Sequence, residues 1–161
     1  MVVVESVEPS VDGGRFAAKG VTGDRTEVSA DVFTHGHDLV RAWLRHRPEG
    51  GRRWQHSPMA FLGNDRFTGW FKVSEPGPYE VEVVGDLDHL ASWRRDARRR
   101  VAAERPDPFD PETGAALLTE LAASLGREQK KAVGELRRLA AAVAAGVDLA
   151  ALDELDAAED L

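Results

Sequence analysis

Residues 58–96 read PMAFLGNDRFTGWFKVSEPGPYEVEVVGDLDHLASWRRD, and the rest of the chain is arranged around this stretch. Phe67, Gly69 and Phe71 alternate with Thr68, Trp70 and Lys72; beyond SEPGP, Tyr79, Val81 and Val83 alternate with Glu80 and Glu82. A period of two on both sides of a Pro- and Gly-containing turn predicts a hairpin, spanning Arg66 to Asp86, with one buried face. LGND, just ahead of it, predicts a tight turn, because Gly and Asn accept the positive φ that bulky residues resist. Trp93 is expected to close this hairpin.

Working outward toward the start, Val2 to Val7 is rich enough in Val to begin a sheet, and Pro9 with Gly13 and Gly14 ends it. GDRTEVSADVF places Thr26, Val28, Ala30 and Val32 on one side and Glu27, Ser29 and Asp31 on the other, a half-exposed strand. LVRAWLRHRP sets Val40, Ala42, Leu44 and His46 against Arg41, Trp43, Arg45 and Arg47, and EGG then turns the chain toward WQHSPM. Six or seven strands with turns between them make an antiparallel sandwich of the immunoglobulin-like type.

After Trp93 the period changes. A basic helical stretch, RRDARRRVAAE, runs into a proline-rich hinge ending at Asp110, whose side chain is expected to cap a helix with Pro111 at its first position. Leu117, Leu118, Leu121 and Leu125 fall at helical spacing, as do Val133, Leu136, Leu139 and Val143 in a further helix that Gly146 ends. Asp148 then caps a last helix carrying Leu149, Leu152 and Leu155. The expected fold class is therefore α+β: a mainly β sandwich over residues 1–93, followed over 94–161 by a segment of three to four helices. The hinge at 105–110, with Pro106, Pro108 and Pro111, is the expected site of proteolytic cleavage.

Composition narrows the function classes. The 161 residues hold no cysteine, which removes disulfides and thiolate chemistry and fits a reducing cytoplasm. No apolar run approaches a membrane span, Leu139 to Ala145 being the longest, so a soluble, cytoplasmic chain without membrane partners is expected. The formal charge of −7 argues against nucleic acid as a partner, and it is unevenly placed. Up to Glu104 there are 16 acids and 15 bases, but from Arg105 onward 12 acids and 6 bases, a shift that supports the two-part division.

Few motifs carry chemistry. His35, His37 and Asp38 offer three metal-ligating groups in four residues but no second cluster, so an exposed turn and no metal are expected. Arg94, Arg95, Arg98, Arg99 and Arg100 are suited either to phosphate groups or an acidic partner, or to pairing along their own helix with Asp96 and Glu104. Among the tryptophans, Trp43 and Trp70 have polar neighbours on the outer faces of their strands, which makes them the candidates for contact with a glycan or another domain. No GxSxG, HExxH, phosphate loop or framed carboxylate pair is present, so no catalytic or cofactor-binding residue is assigned.

Pro9, Asp12 to Phe16, Gly23, Asp24, Asp31 to Phe33, Gly36 to Asp38, Pro58, Met59, Leu62 to Arg66 and Trp93 to Asp96 occur in an order that resembles the amino-terminal domain of the alpha-1,4-glucan:maltose-1-phosphate maltosyltransferases, members of the alpha-amylase superfamily. The pattern departs at Gly85 to Asp88, where the family places an aromatic residue before the acid. The resemblance implies a parent enzyme that transfers maltosyl units from maltose 1-phosphate to alpha-1,4-glucan with retention, using an Asp nucleophile and a Glu acid and base. Those residues belong to a catalytic barrel of about 250 residues, which this chain is too short to contain. The implied role is assembly of a homodimer and shaping of the active-site cleft beside the parent's barrel, with no cofactor. An accessory or glycan-binding domain of another alpha-amylase-type hydrolase is the alternative. The resemblance also implies a final strand after the helices, and its absence before Leu161 predicts self-association, through an open sheet edge, through the helices or through the surface the barrel normally covers.

Overall fold

The computed structural model describes residues 1–105, 107–126 and 128–157. The chain divides into two compact units, Met1–Asp88 and the part from His89 onward. The division expected between residues 93 and 94 falls instead inside a helix, because helical hydrogen bonding already begins at His89. No helix among the described residues is long and apolar enough to cross a membrane.

The first unit is a sandwich of seven antiparallel strands. β1 (Val2–Glu8), β2 (Arg25–Thr34), β6 (Arg66–Lys72) and β5 (Ala60–Gly63) form one sheet in the order β1-β2-β6-β5. β4 (Gln55–Pro58), β3 (Val40–Pro48) and β7 (Tyr79–Leu87) form the other, with β3 central. The alternation read from the sequence decides what is inside: Val28, Ala30 and Val32 of β2, Ala42 and Leu44 of β3, and Phe67 and Phe71 of β6 share one core with Met59 and Val73. On β7 the inward positions Tyr79 and Val83 pack on this core, whereas Val81 is exposed.

The expected hairpin from Arg66 to Asp86 does not form. β6 pairs with β2 and β5, while β7 pairs with β3, so the SEPGP segment carries the chain from one sheet to the other. Alternation tells which face of a strand is buried and nothing about which strand lies beside it. The hairpin in this region is β5–β6, and its turn is the LGND segment, with Gly63, Asn64 and Asp65 all at positive φ. A second change of sheet takes a single residue, buried Met59 between β4 and β5, whose N–H donates to the Ala42 carbonyl at 2.9 Å. Gly85, where the family pattern is broken, faces Val2 and Val32: a Cβ there would lie 2.7 and 2.6 Å from their methyl groups. The small residue lets the two sheets close at this point.

Arg66 ties three strands on the outer face of the first sheet. Its guanidinium donates to the Ser6 carbonyl at 3.0 Å, Asp31 Oδ1 at 3.1 Å, Glu8 Oε2 at 2.7 Å and Ser29 Oγ at 2.7 Å. The β1–β2 register shifts between Glu5 and Glu8, with Ser6 at a φ of 52°, and Arg66 fixes the carbonyl that this irregularity turns outward.

The second unit packs α1 (His89–Ala102), α2 (Asp110–Ser124), α3 (Lys130–Ala145) and α4 (Leu149–Ala157) around Trp93, Ala97, Leu118, Leu139, Ala140, Val143, Leu152 and Leu155. Trp93 thus belongs to the helical core and does not close the sandwich. It lies against Gly114 of α2, where a Cβ would come within 2.2 to 2.7 Å of the indole. Its Nε1–H donates to the Asp110 carbonyl at 3.2 Å.

Asp110 does not cap α2 with its side chain. It is only 5% exposed, and its carboxylate is taken by Arg100 of α1, which donates from Nε at 2.9 Å and from a terminal nitrogen to the other oxygen. Two turns of different helices are joined instead of one helix end being satisfied. Asp148 does act as expected, accepting from the Ala151 N–H at 2.8 Å. Of the residues in the expected hinge, Pro106 lies outside the described residues, as does Leu161 at the chain end.

Candidate functional site

Trp43 and Trp70 lie on outer faces of different sheets, and no single surface contains both. Trp43 stands in a row with Arg41, Arg45 and Arg47 on β3, opposite Val84 of β7 and Pro58 of β4. Each arginine meets the acid directly across on β7: Arg41 with Asp86 at 3.2 Å, Arg45 with Glu82 at 3.3 Å, and Arg47 with Glu80. Trp54, from the β3–β4 connection, stacks on Arg45 and Arg47 with guanidinium carbons 4.7 and 4.3 Å from its ring centroid. The charges on this face are matched pair by pair, and half-buried Trp43 is set among them.

Trp70 occupies a different setting. It is 51% exposed on β6, opposite Glu27 of β2, and the guanidinium of Arg25 lies 3.8 Å from its ring centroid, bracing the indole. Beside it opens a cleft of about 740 Å³, bounded on one side by β4 (Gln55, His56, Ser57) and on the other by Trp70 and Lys72 of β6. The cleft exists because β5 is short. β5 pairs with β6 only through Ala60↔Thr68, Phe61↔Phe67 and Gly63↔Arg66, so the strand from Gly69 to Lys72 runs on without a neighbour on that side. The sequence cue was the spacing of Pro58 and Gly63, which leaves room for only four residues of strand.

Which main-chain groups face the cleft follows from strand geometry. Val73 exchanges hydrogen bonds with Gly23 and Asp24, and the Asp65 carbonyl accepts from the Val32 N–H, so odd-numbered residues of β6 direct their backbone toward β2. Successive residues of a strand direct their N–H and C=O to opposite sides. Trp70 and Lys72 therefore present theirs away from β2, where they have no hydrogen-bond partner among the described residues.

Deeper in, His46 is 8% exposed and stacks on Phe71 with ring centroids 4.5 Å apart. Burial lowers its pKa below the ordinary histidine value, only partly opposed by a hydrogen bond with Gln55. His35, His37 and Asp38 sit in the exposed connection between β2 and β3, with His35 edge-on to Phe33 at 6.4 Å. Among the described residues, no group of three or more His, Cys, Asp or Glu side chains is placed to hold a metal ion.

Four of the five arginines of α1, all but Arg99, meet acids of their own unit among the described residues. Arg94 pairs with Asp156 at 3.1 Å, Arg98 with Asp153 at 2.8 Å and Asp156 at 2.6 Å, Arg95 with Asp96 at 2.8 Å, and Arg100 with Asp110. The hydrogen bond from Arg98 to Asp153 raises the arginine pKa further. Arg95 meets the expected Asp96, but as a chain neighbour and not one helical turn away, and Glu104 takes part in none of these pairs. The main partners, the aspartates of α4, lie 55 and 58 residues from Arg98 and follow from tertiary packing alone. The acidic partner this cluster suits is thus supplied by the chain itself.

The family model described as alpha-1,4-glucan:maltose-1-phosphate maltosyltransferase, domain N/S, matches residues 1–160. The chain is 39% identical over 128 residues to the alpha-1,4-glucan:maltose-1-phosphate maltosyltransferase of Chlorobaculum tepidum, covering 80% of this chain and 19% of that protein. It is 40% identical over 121 residues to the protein of the same name from Myxococcus xanthus, covering 73% of this chain and 18% of the relative. With alpha-1,4-glucan:maltose-1-phosphate maltosyltransferase 1 of Streptomyces coelicolor it shares 37% identity over 162 residues, or 91% of this chain and 24% of the relative. The chain thus spans about a fifth of the length of these relatives. With both the sandwich and the helical unit inside the matched region, the chain belongs to the family of maltosyltransferase N/S domains.

Proposed function

We propose that this chain is the non-catalytic amino-terminal part of a maltosyltransferase that elongates alpha-1,4-glucans from maltose 1-phosphate. The observation that carries the reading is the family match over residues 1–160, which runs through both units without a break. In this reading the chemistry is a retaining double displacement at an Asp and a Glu of a barrel outside these 161 residues. The sandwich and helices serve homodimer assembly and the shaping of the cleft in which donor and acceptor meet, in the cytoplasm.

The reading is tested by phosphate release from maltose 1-phosphate in the presence of glycogen. The chain alone is expected to give none above a buffer blank. The same chain in one polypeptide with the remainder of the Streptomyces coelicolor relative is expected to give glucan-dependent release, and to run as a dimer in light scattering. Transfer by the 161-residue chain alone overturns the non-catalytic assignment; a barrel that transfers equally well as a monomer without this chain overturns the assembly role.

A further inference from the structure

We propose that the cleft between β4 and the unpaired end of β6 is a binding site for a neutral oligosaccharide, with Trp70 as its wall and the main chain of Trp70 and Lys72 as its hydrogen-bonding floor. Three observations converge there. An indole that is 51% exposed is fixed in place by Arg25 at 3.8 Å, which gives a rigid apolar surface of the kind the C–H face of a pyranose covers. The two N–H and two C=O groups of Trp70 and Lys72 face the opening without a partner among the described residues, so donors and acceptors alternate at the spacing of a strand. Gln55 and His56, both exposed on β4, supply further polar groups from the opposite wall.

Charge and length select the ligand class. The charged side chains lining the cleft are Glu27 and Lys72, one of each sign, and the nearby guanidinium of Arg25 is engaged on the Trp70 ring, so the lining itself selects neither an anion nor a cation. The free edge from Gly69 to Lys72 is four residues long, at the short end of strand lengths, so an added peptide strand would gain only the main-chain groups of Trp70 and Lys72. A ligand bearing hydroxyl groups can use isolated donors and acceptors of both kinds, and the cleft of about 740 Å³ is within the range of small-molecule sites.

The class of ligand follows from the cleft; the choice of an alpha-1,4-glucan as first probe rests on the proposed function. The test is a titration of the whole 161-residue chain with maltoheptaose and, separately, with cellotetraose, followed by two-dimensional amide NMR. Saturable shifts are expected for the Trp70 indole N–H and for the Trp70 and Lys72 amides with maltoheptaose. Trp70→Ala should weaken binding by at least about tenfold and Gln55→Ala by a smaller factor, whereas Trp43→Ala should leave it unchanged. Unchanged dispersion of the other amides verifies that each variant is folded. Shifts at these positions with cellotetraose alone would uphold the oligosaccharide site and count against the alpha-glucan reading. No shift with either sugar, shifts centred on Trp43, or saturation only by an extended peptide would overturn the proposal.

Discussion

The sandwich and the helical unit use the same ionic vocabulary in different ways. On β3 and β7 every arginine of the outer row faces an acid at the same level of the ladder, so pairing follows from strand register. In the helical unit Arg98 reaches Asp153 and Asp156, and Arg100 reaches Asp110, across helices that meet only after folding. The surface pairs of the sheet are partly exposed and individually weak, and the sandwich depends instead on its apolar core. The helical unit has a buried aspartate at a helix junction and an indole resting on a glycine, so single changes there should cost more.

The strongest way to test that contrast is Gly114→Ala. A methyl 2.2 to 2.7 Å from the Trp93 indole cannot be accommodated without moving α1 or α2, and a cost of about 3 kcal/mol or more is expected. Urea unfolding followed by helical circular dichroism should show the loss, with the strand amides of the sandwich undisturbed in NMR. Gly134→Ala, at an open helical position on α3, should instead stabilise by about 0.5–1 kcal/mol. If the two variants behave alike, the close approach of α1 and α2 is not what limits this unit.

Arg100→Ala comes next, at about 3 kcal/mol, because it leaves the Asp110 carboxylate buried without its partner. Asp110→Ala should cost less, since Arg100 is 35% exposed in its side chain and can return to water. Equal losses in the two variants would mean that the pair, not the burial of one member, sets the energy. In the sandwich, Arg66→Ala should cost about 1–2 kcal/mol through its four hydrogen bonds, read as a lower urea midpoint of the β signal. A loss larger than that of Arg100→Ala would reverse the ranking of the two units.

The smallest expected effect is a pH dependence confined to the sandwich. The folded-state pKa of His46 is depressed by burial, so the unfolded chain binds the proton more readily. Its contribution is fully present above the ordinary histidine value of 6.5 and is lost as pH falls below that value toward the folded pKa. His46→Gln should flatten this part of the stability profile; an unchanged slope in that variant would place the titration elsewhere.

The faces of the strands were legible in the sequence, because Val28, Ala30, Val32, Ala42, Leu44, Phe67 and Phe71 declare the buried side through alternation. So were Leu118, Leu139, Leu152 and Leu155 of the helices and the cap at Asp148, whereas Leu149, read as part of the last stripe, is exposed. Strand neighbours were not legible: the segments before and after SEPGP alternate equally well whether they pair with each other or separate into two sheets. Asp110 looked like a cap because a carboxylate before Pro111 satisfies the local rule, and only the position of α1 brings Arg100 to it. The candidate site was half visible. Trp70 could be placed on an outer face from its neighbours, but the free main chain beside it depends on where β5 stops.

The burial of Trp93 has a spectroscopic consequence. It is the one tryptophan of the helical unit and is 7% exposed, whereas Trp43, Trp54 and Trp70 all belong to the sandwich. An indole enclosed by Leu and Val side chains emits at shorter wavelength than one in contact with water. Replacing the three sandwich tryptophans with phenylalanine would therefore leave a single indole, excited selectively at wavelengths Tyr79 does not absorb, whose red shift reports the loosening of the α1–α2 contact, independently of what the strands are doing.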